Sequence, residues 1–277
     1  YTTYHSQPNP SNLAAGMAAL ATTVNRVNQL YIRDLALNIR LPINNDQIVF
    51  VDPATDPYVP SNPMVGLTGA DLQALNPSVI AARIADSDYQ LGHVVHAGNG
   101  GGNAGGIGTI CTANKATGYT MNARPDGTLF WVDYVAHEVG HQCGANHTFN
   151  GTRGSCGGQW FANAAYEPGS GISIMAYAGI CNDMTGSDDL ATPVNNPPGM
   201  PTPPPIGASI PMFSWISIQE ITARLGASPS CGFAAATGNH IPSPPTGSAG
   251  PWIIPANTPF RLVAGGSDQD FGQSLTL

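Results

Sequence analysis

The chain has 277 residues, with nine Lys and Arg against 17 Asp and Glu, and a formal net charge of -8 at pH 7. This acidic balance argues against a nucleic-acid partner, because binding to a phosphate backbone needs a basic surface. No apolar run reaches the roughly 18 residues that span a bilayer, so we expect no membrane partner. Charged residues make up only 9% of the chain but apolar residues 42%, which predicts a folded, loop-rich protein. The length is enough for one large α/β domain, or for one domain with an appendage.

The first part of the chain changes from a helical to a strand-like pattern. Apolar residues spaced three and four apart predict an amphipathic helix from Ser11 to about Asp34, capped by Ser11 or Asn12. Alternation over 35–43 and the run IVFV at 48–51 then predict strands.

Two short helices are predicted next, over 71–75 and 77–84, with Asn76 as the cap of the second and Pro77 in its first turn. The sequence LGHVVHA at 91–97 is typical of another strand. The chain up to residue 97 is therefore predicted to alternate helices and strands.

The stretch AGNGGGNAGGIGTIC over 97–111 is too rich in glycine for a stable helix. It lacks the Lys that follows the glycines of a phosphate-binding loop, so it predicts a loop that leads into a short strand over 107–111. A helix is predicted over 131–143, with Gly144 as its stop signal.

The C-terminal third is interrupted by proline. The segment 187–211 contains PVNNPPGMPTPPPIG and is predicted to be a surface insertion, either inert or shaping one side of a cleft. A helix over 216–226 follows, and the tail beyond Cys231 contains the strand-like pieces WII and FRLVA.

The stretch HEVGHQCGANH carries the candidate chemistry. On a helix, His137 and His141 lie one turn apart on one face, so both imidazoles can reach one ion. Gly144 lets the chain turn back and bring in His147 as a third ligand. Three protein ligands leave a fourth position for water, which is the arrangement of a catalytic zinc site. Glu138 can then act as general base towards that water.

The motif has the form H-E-x-x-H-x-x-G-x-x-H, and Met175 in SIMAY follows 28 positions after His147. Together they resemble the metzincin zinc endopeptidases, whose motif is followed by a Met-turn. HTFNG and AYEPGSGISIMAYAGIC are most similar to bacterial reprolysin-like secreted proteases. Pappalysin-like enzymes are the rival subgroup, because Thr148 stands where Asp is common in adamalysin-type relatives. The resemblance implies a twisted mixed sheet, an active-site helix behind it and a smaller Met-turn subdomain.

The resemblance also assigns roles to residues around the metal. Met175 would be an apolar floor under the zinc rather than a ligand. Tyr177 has two open roles, either a zinc ligand or oxyanion donor, or a wall of the substrate pocket. An edge strand forming the upper rim, which binds the substrate main chain, is expected to include Gly105, Gly106, Ile107, Gly108 and Thr109.

Five cysteines are compatible with two disulfides and one free thiol in an oxidising compartment, or with five reduced thiols in a cytosolic protein. Within the metzincin interpretation we predict the disulfides Cys111–Cys231 and Cys156–Cys181. Cys143 would stay free, because it lies in the helix that carries two of the zinc ligands.

The predicted domains are a catalytic domain over 1–231 and a linker with an incomplete β-module over 232–277. The tail resembles the first strands of an immunoglobulin-like module, which takes roughly a hundred residues to close, so we expect the chain to be part of a longer secreted precursor. Calcium is a second candidate ion. Its candidate ligands are Asp183, Asp188 and Asp189, or Asp268 and Asp270. Solvated loop carboxylates are an equal alternative for these residues.

These observations predict a secreted, monomeric zinc endopeptidase that binds extended protein or peptide substrates. Two alternatives remain, a catalytically inactive zinc-binding or adhesive module and a zinc hydrolase of a non-peptide bond. Glu138 favours an enzyme over the inactive module, because a scaffold needs the histidines but no base.

Overall fold

The computed structural model describes residues 1–6, 12–99, 101–181, 209–228, 230–236, 238, 240 and 266–270. It divides into two compact units, Tyr1–Gly232 and Phe233–Leu277. The helices and strands given below belong to the first unit. Among the described residues, no helix is long and apolar enough to cross a membrane.

The helices of the first unit frame a small mixed sheet. In chain order they are α1 (Thr2–His5), α2 (Leu13–Leu35), α3 (Gly69–Ala81), α4 (Gly127–Leu129), α5 (His137–Cys143) and α6 (Trp215–Gly226). Short 3₁₀ turns occur at Asn45–Ile48, Asp86–Asp88 and Gly154–Cys156. The fold is therefore mixed α/β.

The sheet has the strands β1 (His93–His96), β2 (Gly101–Asn103) and β3 (Gly118–Met121). Its order is β1-β3-β2, with β1 parallel and β2 antiparallel to the central strand. Within the described part of the chain β2 is therefore an edge strand.

The helix that carries the HEVGH motif is irregular at its start. Residues Phe130–Ala136 form a π-helix between α4 and α5. Such insertions shift the register of the side chains and often occur at functional sites. The Tyr31 hydroxyl of α2 donates a 2.8 Å hydrogen bond to the Ala136 carbonyl, at the point where the π-helix gives way to α5.

The main core lies between α2, the π-helix, α5 and α6. Its buried members include Val27, Leu30, Tyr31, Phe130, Val132, Val135, Val139, Met175, Phe213 and Ile221. Burial of this apolar surface is what holds α5 in place, because isolated helices of its length are unstable in water.

Several predicted elements are confirmed. The first helix is α2, and the Asn12 side chain caps it by accepting from the Ala15 N–H. Strand β1 and helix α6 lie where the sequence predicts them. Most of the Pro-rich segment, and both strand-like pieces of the tail, lie outside the described residues.

The strands predicted over 35–43 and 48–51 are wrong. The side chains of Leu35, Leu37 and Ile39 do pack on the core, whereas Ile43 is exposed, and the main chain bonds elsewhere. The Ile39 N–H donates to the Asn28 side chain at 2.7 Å, and Asn45–Ile48 closes a 3₁₀ turn. The alternation therefore identified only the first buried side chains, and the Asn28 side chain of α2 takes a backbone hydrogen bond that a neighbouring strand would make.

The two short helices predicted on either side of Asn76 are one helix, α3. A capping box starts this helix, with Thr68 and Asp71 each binding the other's backbone N–H. Asn76 is not a cap, since its side-chain amide donates to the Ala116 carbonyl at 2.7 Å. Asn76, which the sequence pattern predicts to be a helix cap, therefore makes a tertiary hydrogen bond instead.

The strand predicted over 107–111 is also wrong, because the edge strand is the earlier Gly101–Asn103. Gly108 and Ile110 instead donate their N–H groups to two carbonyls in the last turn of α5, at 2.8 and 2.9 Å. Carbonyls at a helix C-terminus lack the usual partner one turn further on, and this loop supplies donors to two of them.

The structure joins Cys111 to Cys231 and Cys156 to Cys181, and leaves Cys143 free. The Cys143 side chain is buried in the core beside α6, and burial raises the pKa of its thiol to about 12. The thiol is therefore neutral and packs as a small apolar group.

We predict that Tyr31→Phe lowers the free energy of unfolding by about 1–2 kcal/mol, because it removes the buried donor to the Ala136 carbonyl. Tyr4→Phe is the matched control, since the Tyr4 hydroxyl bonds Asp126 at the surface and its loss is expected to cost less than about 0.5 kcal/mol. Denaturant titration measures both, and equal losses would contradict the assigned role of Tyr31.

Candidate metal centre

The three histidines of the motif are brought together by α5 and the turn after it. His137 and His141 lie one turn apart on α5. Gly144 ends the helix with φ 117°, a left-handed conformation, and a Cβ there would lie 2.7 Å from the Cβ of Arg224. Only glycine fits this turn without strain, and the turn directs the chain back so that His147 faces the other two.

The Nε2 atoms of the three histidines converge on one point. The distances are 3.1 Å between His137 and His141, 3.0 Å between His141 and His147, and 3.3 Å between His137 and His147. Two nitrogens bound at about 2.0–2.1 Å to a tetrahedral zinc ion lie about 3.3 Å apart. The observed triangle therefore fits zinc.

The other ring nitrogen of each histidine determines its tautomer. Nδ1 lies 2.7 Å from the Ile174 carbonyl in His137, 2.7 Å from the Ala145 carbonyl in His141 and 2.6 Å from the Gln159 carbonyl in His147. A carbonyl only accepts, so each Nδ1 carries the hydrogen and each Nε2 presents a lone pair. Three lone pairs aimed at one point repel each other unless a cation lies between them.

Burial also keeps the three imidazoles neutral, as zinc ligands must be. Burial lowers the pKa of His137 to about 3, with the neighbouring His147 as a smaller cause. Burial likewise lowers the pKa of His141 and that of His147 below the ordinary value for histidine. Within the described part of the chain, these histidines are the one group of three or more His, Cys, Asp or Glu side chains that could hold a metal.

Glu138 lies on α5 next to the first histidine and is 8% exposed. Its side chain lies against β2, where a Cβ on Gly102 would overlap the Glu138 carboxylate. Burial raises the pKa of Glu138 to about 8, because removal from water disfavours the charged carboxylate. The group is thus a stronger base than an ordinary glutamate.

Met175 and Tyr177 lie beside the histidine cluster. Met175 is fully buried, and a Cβ on Gly140 would lie 2.5 Å from its sulfur, so glycine allows the close contact with α5. The Tyr177 ring lies 4.7 Å from the His147 ring and 5.8 Å from the His137 ring, centroid to centroid. Burial raises the pKa of Tyr177 to about 12, and the nearby Glu138 adds to this shift.

The five residues predicted to form the substrate rim are not in a strand. Gly105–Thr109 lies in the loop that bonds to the end of α5. Gly102, the residue that the edge strand places against Glu138, was not predicted from the sequence. The run of glycines around it was visible in the sequence, but a glycine run does not show which of its members pairs with a strand.

The calcium candidates gain no support. Asp183, Asp188 and Asp189 lie outside the described residues. Both carboxylate oxygens of Asp270 accept hydrogen bonds from His240, and Asp268 accepts from the Asp270 N–H.

A buried carboxylate beside three converging imidazoles, on a helix packed against a mixed sheet, defines a zinc peptidase site. The sequence matches the family model for metallo-peptidase family M12B, reprolysin-like, over residues 1–196. The chain therefore belongs to this reprolysin-like family, and the metzincin prediction is confirmed. No curated protein matches the chain. As a zinc metalloendopeptidase it acts on protein or peptide substrates.

We predict that the wild-type protein binds one zinc ion per chain. His147→Ala should weaken zinc binding by more than about 100-fold, because loss of a hydrogen-bond partner of a ligand already lowers metal affinity by about 10–100-fold. His5→Ala is the control, because His5 bonds the Pro125 carbonyl outside the cluster. Competition with a chromogenic chelator measures the affinities. Undiminished zinc binding by His147→Ala would refute the ligand assignment.

Proposed function

We propose that this protein is a secreted endopeptidase in which Glu138 is the general base and His137, His141 and His147 hold the catalytic zinc. The observation that carries the proposal is the convergence of three Nε2 lone pairs beside a buried carboxylate on the same helix. When bound, zinc supplies Lewis acidity that polarises a peptide carbonyl and acidifies a water molecule.

Glu138 acts as the proton carrier in this proposal. Its carboxylate accepts a proton from the attacking water and delivers it to the leaving amine. The pKa of about 8 supports this role, because a base is most effective when its pKa lies near the working pH. Its burial against β2 limits the motion of its side chain.

Substrate is proposed to lie along β2 as an added antiparallel strand. Gly101–Asn103 has a partner strand on one side only within the described residues. An extended peptide paired there would pass next to Glu138, because Gly102 lies against its side chain. Binding of this kind reads the substrate backbone, which suits an endopeptidase.

Met175 is proposed to be the residue of a Met-turn that floors the site. Its complete burial below Gly140 and its place in the main core support this role. A thioether fills such an irregular apolar space well.

Secretion and the domain division are also proposals. Two disulfides favour an oxidising compartment, since cytosolic proteins rarely hold them. We propose that residues 1–231 form the catalytic domain and that 232–277 belong to a separate module.

We predict that Glu138→Gln lowers kcat by about 10²–10⁴-fold, because the amide cannot take up a proton. Zinc content should not change, since Glu138 is not a ligand. Asp46→Asn, at an exposed carboxylate in a 3₁₀ turn, is the control and should keep full activity. Casein hydrolysis with and without a zinc chelator measures the effect.

Undiminished casein hydrolysis by Glu138→Gln would rule out the general-base role. A wild-type protein that binds zinc but cleaves neither casein nor gelatin would instead support the inactive zinc-binding module.

We predict that Tyr177→Phe leaves kcat nearly unchanged, because the ring packs against His147 and Phe149 as a wall of the site. An oxyanion donor would instead be worth about 2.7–4 kcal/mol, or 10²–10³-fold in kcat. Steady-state kinetics separate the two roles, and a loss of that size with KM unchanged would assign the hydroxyl to the transition state.

A further inference from the structure

The chain contains only three glutamates, Glu138, Glu167 and Glu220. The first lies beside the histidine cluster as the proposed base. The other two lie far from it in sequence, but both accept hydrogen bonds from main chain near the cluster. Glu220 binds the residue before His147, and Glu167 binds the residues before Ile174, whose carbonyl bonds His137.

Glu220 holds the turn that leads into His147. From α6, its Oε2 accepts the backbone N–H of Asn146 at 2.7 Å, and its Oε1 accepts from the Asn146 side-chain amide at 2.8 Å. Both oxygens thus bind the residue immediately before the third ligand.

This contact matters because His147 lies beyond the end of α5, where no helical hydrogen bonds set its backbone. Helix α6 is a firm support, since Ile221 is buried in the main core. Arg224 on the same helix donates to the carbonyls of Gly108 and Ile110 at 2.9 and 2.8 Å. Glu220 therefore connects the third ligand to the packed part of the protein.

Glu167 acts in the same way on the turn that supports His137. Its Oε2 accepts the N–H groups of Ile172 and Ser173 at 2.7 and 2.9 Å, and its Oε1 accepts from the Ser173 hydroxyl. The next carbonyl along the chain, that of Ile174, receives the Nδ1 hydrogen of His137. Glu167 thus fixes the turn that orients the first ligand.

The main chain of Glu167 also pairs with the segment after His147. Its N–H donates to the Thr148 carbonyl at 2.8 Å, and its carbonyl accepts from Asn150 at 2.9 Å. One residue therefore bonds to both the supporting turn of His137 and the chain that follows His147.

We propose that Glu167 and Glu220 are positioning residues of the metal centre, which hold the supporting turn of His137 and the backbone before His147. The proposal rests on the zinc site proposed above. Groups behind the ligands fix ring orientation and tautomer, and their loss weakens metal affinity by about 10–100-fold. Neither glutamate touches the reacting atoms, so their first effect is on metal binding and geometry.

The test measures zinc affinity by chelator competition and the visible absorption spectrum of the cobalt-substituted protein. We expect Glu220→Ala and Glu167→Ala each to weaken zinc binding by about 10–100-fold and to shift the cobalt bands. The Gln variants at both positions should return towards wild type, because the role depends on hydrogen bonds that an amide can largely reproduce. Gln219→Ala, at the exposed neighbour on α6, is the control.

Two milder variants cover the case in which an Ala variant does not fold. Asn146→Ala removes one of the two hydrogen bonds to Glu220, and Ser173→Ala removes one of the three to Glu167. Both should weaken zinc binding by a smaller factor, with the thermal midpoint of the metal-free protein little changed.

The outcomes separate this inference from the proposed function. A wild-type protein that does not bind zinc would overturn the zinc site itself. If the wild-type protein binds zinc and the two Ala variants keep wild-type affinity and cobalt bands, the positioning roles alone are overturned. Where the Ala variants do not fold, the same result in Asn146→Ala and Ser173→Ala overturns them.

Discussion

The arrangement of three backbone carbonyls behind three imidazoles is the constraint on which the site depends. Each carbonyl takes the Nδ1 hydrogen, and so turns an Nε2 lone pair towards a common point. Without a cation this is an unfavourable concentration of lone pairs inside a buried site. The rest of the first unit can be understood as the structure that holds those carbonyls and rings in place against this repulsion.

Helix α5 is too short to do this alone, and it is held at both ends. The Tyr31 hydroxyl binds the carbonyl just before it, and the loop of Gly108 and Ile110 binds carbonyls of its last turn. Glycines then allow close approach on its sides, with Gly102 against the proposed base and Gly140 over Met175. The chain has few charged residues, and the polar contacts that hold α5 and the histidines accordingly use main-chain groups for the most part.

Much of the site was predictable because it is local. The spacing of His137, His141 and His147, with Gly144 between the last two, follows from helix geometry and the conformational freedom of glycine. Helices α2 and α6 were predictable from apolar periodicity and their end signals. The backbone over 35–43 and 107–111 was not predictable, because distant groups, the side chain of Asn28 and the end of α5, supply hydrogen-bond partners there.

The sequence by itself determined the chemistry: three imidazoles at helical and turn spacing, a carboxylate next to the first, and hence a zinc peptidase motif. The tertiary structure decided which residues support that chemistry. It placed β2 rather than the later glycines beside Glu138, and it brought Glu167 to the turn that supports His137 and Glu220 to the residue before His147. The physical reason is the sequence distance between the interacting groups. The spacing of the ligands is a property of one helix and one turn. A hydrogen bond between residues 74 positions apart depends instead on how the helices pack.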